Sequence, residues 1–406
     1  MSLINLLDKD EIWLDFLNHK INSSHLPIKT LNEYKNFIEN KKYKNIVKKI
    51  IEEEYSFSIP KKIMIGKMGK SKKRVVYMFS EEETYILKLL TYLLYKYDYF
   101  FSPNLYSFRK KSGVKSAIYN LTKCHINKLY GYKLDIKNYF NSINTDILLS
   151  NLKNDLNDNK LYNLFEKILQ DKRVIFNNEV IIEEKGAMAG VPISAFFANY
   201  YLKELDKYFY ENNIIYARYA DDIIIFDKSF DKILEHQNFI SNFLENLNLK
   251  INKEKEFFYK PGDEFEFLGF SYKNGTIDLS SNTIKKIKGK IKRSAKGFRR
   301  WMIRKNANYD VTVKAINRKF NRKFYGKNEN DLTWKYWFFP VINTSKSLKI
   351  VDNYMQDWQR YIITGKHNKK NYEKVPYTFL KQCNYKSLVN EFYNYKKNKV
   401  IKWITW

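Results

Sequence analysis

The sequence predicts an α+β fold, and three observations carry that expectation. The run 214–226 sets Asp221 and Asp222 between two short stretches of β-branched and aromatic residues, which reads as a hairpin with an acidic turn. The block 130–136 reads as a further strand, and it places Asp135 near its end. Helical patterns at 196–211 and 228–248 alternate with these strands, and a short strand follows at 256–259. The order strand, helix, strand-turn-strand, helix, strand is that of a ferredoxin-like layer.

The remaining elements follow along the chain. Residues 1–60 read as mostly helical, with a long helix over 32–54 and a stop near Pro60. Residues 61–77 are extended and basic, and 81–97 form an apolar-faced helix. A strand is expected over 265–270. Beyond about Gly275 the texture changes. Ile284, Ile287, Ile291, Ala295, Phe298 and Met302 recur at helical spacing, and the positions between them carry eleven Lys and Arg and no acid. A solvated surface helix usually mixes charge signs, so this face reads as one that docks on a phosphate backbone, through Lys285, Lys288, Lys292, Arg299 and Arg300.

Composition narrows the function. The 406 residues carry 73 Lys and Arg against 44 Asp and Glu, a net charge of +29, which favours a polyanionic partner. The bias toward Lys, Asn, Ile and Tyr is also what an AT-rich genome produces, so distribution matters more than total. From Ser281 onward there are 31 Lys and Arg and 7 Asp and Glu, a net of +24, so most of the excess lies in the last third. Two cysteines, Cys124 and Cys383, make neither a disulfide framework nor a zinc cluster, so a reducing cytoplasm is expected. The N-terminus lacks a signal-peptide pattern, and the most apolar stretch, 85–101, is interrupted by Lys88, Lys96 and Asp98, so no membrane partner is expected.

Two adjacent carboxylates on a rigid hairpin are costly unless a cation sits between them, although Asp also simply favours turns. Asp135 supplies a third carboxylate. Three carboxylates suit a pair of hard Mg2+ ions, with Mn2+ as the alternative, and two-metal nucleotidyl transfer needs such a set.

Six segments in order then resemble the motifs of reverse transcriptases. Leu134-Asp135-Ile136-Lys137-Asn138-Tyr139-Phe140 and Tyr219-Ala220-Asp221-Asp222 resemble motifs A and C. Tyr106-Ser107-Phe108-Arg109-Lys110-Lys111-Ser112 looks like a fingers segment of bacterial and group II intron enzymes. Gly190-Val191-Pro192-Ile193-Ser194-Ala195-Phe196-Phe197-Ala198-Asn199 looks like motif B, Leu249-Lys250-Ile251-Asn252-Lys253-Glu254-Lys255 like motif D, and Phe267-Leu268-Gly269-Phe270 like motif E. The resemblance covers about residues 60–275 and implies a right-hand polymerase: an N-terminal helical extension at 1–60, fingers at 61–125, a ferredoxin-like palm at 126–275 with a fingers insertion near 150–185, and a basic helical thumb and C-terminal region at 276–406.

The same resemblance implies roles. Asp135, Asp221 and Asp222 would hold metal and carry catalysis. Phe140 occupies the steric-gate position that crowds a ribose 2′-hydroxyl and favours dNTPs. Gly190 and Pro192 belong to the substrate-binding motif B. Lys72 and Arg74 fit the position that grips the triphosphate, or else a solvated basic loop. Arg109 reads as support for that pocket or as a structural ion pair. Lys255 matches the motif D lysine that protonates pyrophosphate, with Lys253 as competitor. The chain departs from the family where Ala189 replaces the usual Gln before the motif B glycine and Ala195 replaces Pro, which puts ordinary nucleotide handling in doubt. The implied activity is RNA-directed DNA synthesis from dNTPs on an RNA template.

No endonuclease or ribonuclease H segment, retron Val-Thr-Gly segment, or Ser-Gln motif B signature is visible. The form most resembles free-standing bacterial unknown-group and abortive-infection enzymes, which act in phage defence, several with a structured non-coding RNA. Untemplated or protein-primed synthesis, a retron-like or group II-like enzyme, and a silent RNA-binding protein are the alternatives. The block 364–372 reads as an RNA grip with Tyr372 stacking, or as a solvated loop, and the cluster Trp334, Trp337, Phe338 and Phe339 reads as core. Oligomeric state, homo- or hetero-, stays open.

Overall fold

The computed structural model describes residues 2–23, 27–66, 73–110, 112–326 and 333–404. The chain divides into a unit of residues 1–261 and a unit of residues 262–406.

The first unit opens with a 3-10 turn, Ile4–Asp8, and three helices, α1 (Asp10–Ser23), α2 (Ile28–Glu39) and α3 (Tyr43–Ile51). Their centre is the fully buried Trp13, stacked on Tyr43 at 4.4 Å, with its indole N–H donating to the Leu7 carbonyl at 2.7 Å. The single helix expected over 32–54 is two helices, because residues 40–42 turn the chain and Lys41 takes a left-handed φ of 49°. The layer is tied onward where the Leu3 amide donates to Asp158 Oδ2 at 2.7 Å.

Strands β1 (Lys61–Gly66) and β2 (Lys73–Met78) pair antiparallel, as the extended basic stretch predicts. α4 (Glu81–Leu93) starts at a capping box formed by Ser80 and Glu83 and passes into a 3-10 segment, Leu94–Phe100. α5 (Val114–Lys123) precedes β3 (Tyr130–Asp135), after which come α6 (Tyr139–Ser142), α7 (Thr145–Asp155) and α8 (Asn159–Gln170). β4 (Arg173–Phe176) and β5 (Glu179–Ile182) join the first hairpin in a sheet ordered β2-β1-β4-β5.

α9 (Ser194–Tyr201) and α10 (Lys203–Glu211) replace the one helix expected over 196–211, since Leu202 leaves helical geometry at φ −111° and ψ 17°. They lead into β6 (Ile215–Tyr219), β7 (Asp222–Asp227), α11 (Phe230–Asn246) and β8 (Phe257–Tyr259). The sheet order is β6-β7-β3-β8 with every pair antiparallel. Taken in chain order, the last strand lies beside the first and the third lies between the first and the second. That is the ferredoxin-like arrangement expected from the element order, with α11 packed on β3 and β7. The α+β expectation therefore holds, and the palm-type sheet is the frame on which the acidic residues sit.

The second unit begins with a three-stranded sheet ordered β11-β10-β9, from β9 (Phe265–Phe267), β10 (Phe270–Lys273) and β11 (Thr276–Leu279). The strand expected over 265–270 breaks at Leu268 and Gly269, both left-handed at φ 50° and 90°; a Cβ on Gly269 would meet Thr283 Oγ1 at 3.1 Å. Helices follow: α12 (Ser281–Lys305), α13 (Tyr309–Phe324), α14 (Trp334–Trp337), α15 (Lys346–Thr364), α16 (Asn371–Lys374), α17 (Tyr377–Gln382) and α18 (Leu388–Ile404). The apolar stripe of α12 is buried at Ile287, Ile291, Ala295 and Met302, and α12 packs on α13 and α15. Trp334, Phe338 and Phe339 are buried, as expected of core, while Trp337 is partly exposed. Among the described residues, no helix is long and apolar enough to cross a membrane.

Candidate active site

The β6–β7 hairpin closes with a two-residue turn, Ala220-Asp221, because Tyr219 and Asp222 are paired across it. Ala220 adopts a left-handed φ of 56°, a conformation that costs a residue with a Cβ and needs outside support. A buried network supplies it. The Ala220 amide donates to Ser107 Oγ at 2.9 Å, the Ser107 hydroxyl donates to Asn199 Oδ1 at 3.0 Å, and the Asn199 amide donates to the Ser107 carbonyl at 2.9 Å. The Arg218 guanidinium reaches the Ala220 carbonyl at 3.3 Å and the Asn199 carbonyl at 3.1 Å, and it is held by Asp206 through Nε to Oδ1 at 2.7 Å. The acidic turn is thus fixed from the fingers segment, from α9 and from α10.

Asp135 ends β3 and stands directly opposite Asp222 in the β3–β7 register. The Ile136 amide also donates to the Asp221 carbonyl at 3.1 Å, so three carboxylates from three chain positions share one end of the sheet. Burial, and then the negative charges of Asp135 and Asp222, push the Asp221 carboxyl up from 3.8 to about 6.

The segment after α11 docks on β3 through its backbone. The Lys137 amide donates to the Lys250 carbonyl at 2.9 Å, and the Asn252 amide to the Asp135 carbonyl at 2.8 Å. This brings the Lys255 ammonium onto Asp135 Oδ2, while the Asn252 side-chain amide donates to Oδ1 at 3.2 Å. Lys253, the competitor in the sequence, faces away and pairs with Glu256 at 3.0 Å. Among the described residues, no three His, Cys, Asp or Glu side chains stand arranged to ligate a metal ion. The cause is visible: both Asp135 oxygens are engaged by Lys255 and Asn252. The donor set itself fits a hard divalent cation. Three hard carboxylate donors gather at one point, and their mutual repulsion raises Asp221's proton affinity, a strain that a cation relieves.

Next to the carboxylates, one cavity of about 410 Å3 gathers four of the expected substrate residues, Arg74, Phe140, Gly190 and Pro192. The Gly190 loop is pinned to β2, where the Tyr77 amide donates to the Ala189 carbonyl at 2.8 Å. Gly190 has φ 104°, and a Cβ there would lie 3.0 Å from the Tyr77 carbonyl oxygen, so both conformation and space call for glycine. Asn141, beside Phe140, accepts from the Ala189 amide at 2.8 Å and donates to the Val75 carbonyl at 3.3 Å, joining the loop, β2 and α6. Phe108, at a left-handed φ of 53°, sets its ring edge-on to Phe140 at 6.2 Å and 6.3 Å from Tyr219.

Other expected site residues lie elsewhere. Lys72 falls outside the described residues. Arg109 does not line the cavity; it makes a two-point ion pair with Asp98, Nε to Oδ1 at 2.9 Å and Nη2 to Oδ2 at 2.8 Å, and donates to the Ser102 carbonyl at 2.7 Å, so its structural reading prevails. In the second unit Lys285, Lys292 and Arg300 are exposed, and Lys288 lies 5.2 Å over the Tyr354 ring. Arg299 is instead committed to the end of α15, donating to the Ile362 carbonyl at 2.7 Å and, more weakly, to those of Tyr361 and Ile363. The ring of Tyr372 is covered by the Arg360 guanidinium at 4.1 Å.

Residues 59–272, more than half of the chain, match the family described as reverse transcriptase (RNA-dependent DNA polymerase). The chain belongs to the reverse transcriptase family. Among its relatives, the retron Ec83 reverse transcriptase of Escherichia coli is 31% identical over 119 residues, which make up 28% of this chain and 38% of that protein. The match therefore spans well under two thirds of that relative's length. Solved structures that resemble this reverse transcriptase include apo telomerase from Candida tropicalis, at 14% identity and TM-score 0.47 over 91% of this chain and 74% of that one. Telomerase from Candida albicans, solved with a TWJ fragment of telomeric RNA, aligns at 13% identity and TM-score 0.44 over 91% and 70%.

Sequence reading missed Arg218, Asp206, Asn199, Ser107, Asn141 and Phe108 as builders of this reverse transcriptase site. One signal was present: a lone arginine inside the apolar run 214–226 must find a buried partner.

Proposed function

We propose that this protein is a Mg2+-dependent, RNA-templated DNA polymerase. The observation that carries the reading is Asp135 facing Asp222 across the β3–β7 ladder, with Asp221 in the adjoining turn and the Phe140 cavity alongside. Asp135, Asp221 and Asp222 would hold the metal pair, which when bound favours the 3′-hydroxylate and offsets charge on the phosphoryl group. The chain's own residues do the positioning. Phe140 and Gly190 bound the space offered to the sugar and base, Arg74 presents a cation at the cavity wall, and Lys255, one contact from Asp135, is placed to give a proton to leaving pyrophosphate. The units map onto fingers and palm in residues 61–261 and onto a basic thumb in the later helices, where Lys285, Lys288, Lys292 and Arg300 meet the nucleic-acid backbone.

The retron relative and the concentration of positive charge in the last third favour a bacterial enzyme that works with a structured non-coding RNA, in phage defence. Purified protein given a primed RNA template, dNTPs and Mg2+ should extend the primer, and Asp221→Ala or Asp222→Ala should bring extension to background. Extension by either variant would exclude the assigned site. Sequencing of co-purifying RNA tests the partner: recovery of one discrete structured species supports it, and bulk cellular RNA removes it.

A further inference from the structure

The 410 Å3 cavity has a second wall that the polymerase chemistry does not use. It comes from the N-terminal helix α1, through His19 and Lys20, and from α4, through Lys88 and Tyr92, with Tyr95 and Phe101 beyond. None of the three carboxylates lines the cavity. Its one acid, Asp98, is already neutralised by Arg109. The cavity is therefore cationic at one end and aromatic along its sides.

The two lysines are held at a cost. Burial draws the ammonium of Lys20 below its ordinary proton affinity; it does the same to Lys88, with the charge of Lys20 adding to the effect. Their partial compensation is aromatic: Lys20 lies 5.3 Å over the Phe16 ring, and Lys88 lies 5.2 Å over Tyr34 and 5.5 Å over Tyr85. Lys88 is also in reach of the charge of Glu81. Tyr92 is fixed in place, its hydroxyl donating to Asp15 at 2.8 Å and its ring 4.9 Å from that of His19. A fixed aromatic wall beside two like charges calls for a planar ligand carrying an anion, and a volume of this size holds one nucleoside monophosphate.

We infer that this α1–α4 wall is a nucleotide subsite separate from the incoming-dNTP position: it takes one unpaired nucleoside phosphate, with the base against Tyr92, Phe108 and Phe101 and the phosphate on Lys20 and Lys88. The ligand is either the template nucleotide that overhangs ahead of the copied position or a free nucleotide. The inference rests on the polymerase reading for the placement of the template, yet its test is made independent of synthesis. α1 is then part of the substrate-binding surface as well as a packing element.

The experiment uses the full-length Asp221→Ala protein without metal, so that binding is read with no chemistry. Fluorescence anisotropy compares an RNA–DNA duplex with a blunt template end against one with a short 5′ template overhang. Lys20→Gln and Lys88→Gln should weaken overhang binding about tenfold and leave the blunt duplex unchanged, and the Arg replacements should restore it. A parallel arm irradiates the protein with 8-azidoadenosine monophosphate and maps the adduct. Labelling at Tyr92 or Tyr95 that the Gln variants suppress assigns the site to free nucleotide, while an overhang effect alone assigns it to template. Equal overhang binding by variants that melt like the parent, together with no adduct in the cavity, overturns the inference. Failure of the wild-type protein to extend a primer, with these binding effects intact, would instead remove the polymerase reading and leave the subsite standing.

Discussion

Arg218 and Asp206 form an ion pair with no solvent exposure directly behind the Asp221 turn. The pair is joined by the Tyr216 hydroxyl, which donates to Asp206 Oδ1 at 2.8 Å, and by the carbonyls of Ala220 and Asn199 that Arg218 receives. Removing one partner strands the other charge in the core. Arg218→Met should therefore cost about 3–5 kcal/mol in a denaturant melt, and Asp206→Asn less, because the amide keeps an acceptor for the guanidinium. A loss in Arg218→Met under 1 kcal/mol, on that same scale of about 3–5 for a broken buried pair, would show that the network does not fix the turn.

Asp221 gives the metal-free protein a definite pH response. Its folded value, about 6, lies above the ordinary 3.8, so the folded state holds this proton more tightly than the unfolded state does. The sign follows. The group costs nothing below the unfolded value, the cost builds as pH rises from 3.8 toward 6, and it is complete above that. The ceiling is about 3 kcal/mol. In chelator at about pH 7, Asp221→Asn should thus be more stable than the parent by up to that amount, and the difference should close near pH 4. A gap that stays constant across this range, or widens toward acid, contradicts the clustering of the three carboxylates.

The elements that carry the acids were legible because their signals are local. An acidic pair between two β-branched runs, and an acid closing an apolar strand, specify a hairpin and a strand end whatever surrounds them. The sheet order followed from the alternation of strands and helices. What stayed hidden depends on contacts distant in sequence. Ser107, Asn199 and Ala220 are 92 and 113 residues apart along their hydrogen bonds, and nothing in the periodicity of any one segment points to the others. Arg299 shows the converse error. On a helix whose polar positions are all cationic, spacing cannot tell which side chain turns back to cap a neighbouring helix, and Arg299 does so at the end of α15. Lys253 and Lys255 could be ranked only once the backbone bonds between 250–252 and β3 were visible.

Ala189 replaces the family's glutamine, and its surroundings have closed around the smaller residue. It is 3% exposed, its amide and carbonyl are taken by Asn141 and Tyr77, and the next residue has no room for a Cβ. Ala189→Gln should overpack this loop and lower stability by about 1–3 kcal/mol, read as a fall in melting midpoint, rather than improve nucleotide binding. A variant with unchanged stability and a lower KM for dNTP would show instead that the loop opens readily and that the family's side chain can be restored.

Phe140 is the residue on which sugar discrimination is expected to turn. It lines the cavity with Gly190 and Pro192, and its ring is braced edge-on by Phe108, whose own backbone is held left-handed at φ 53°. A braced ring cannot swing aside to admit a 2′-hydroxyl, so the penalty on a ribonucleotide is steric and is set by volume at this position. Phe140→Ala should raise kcat/KM for rNTP relative to dNTP by about tenfold to a hundredfold, the range that shape-based discrimination supplies. Phe108→Ala should give a smaller change in the same direction, because it removes the brace and leaves the gate. If both variants lose activity on dNTP and rNTP in equal proportion, the two rings serve the fold alone and the selection of sugar lies elsewhere.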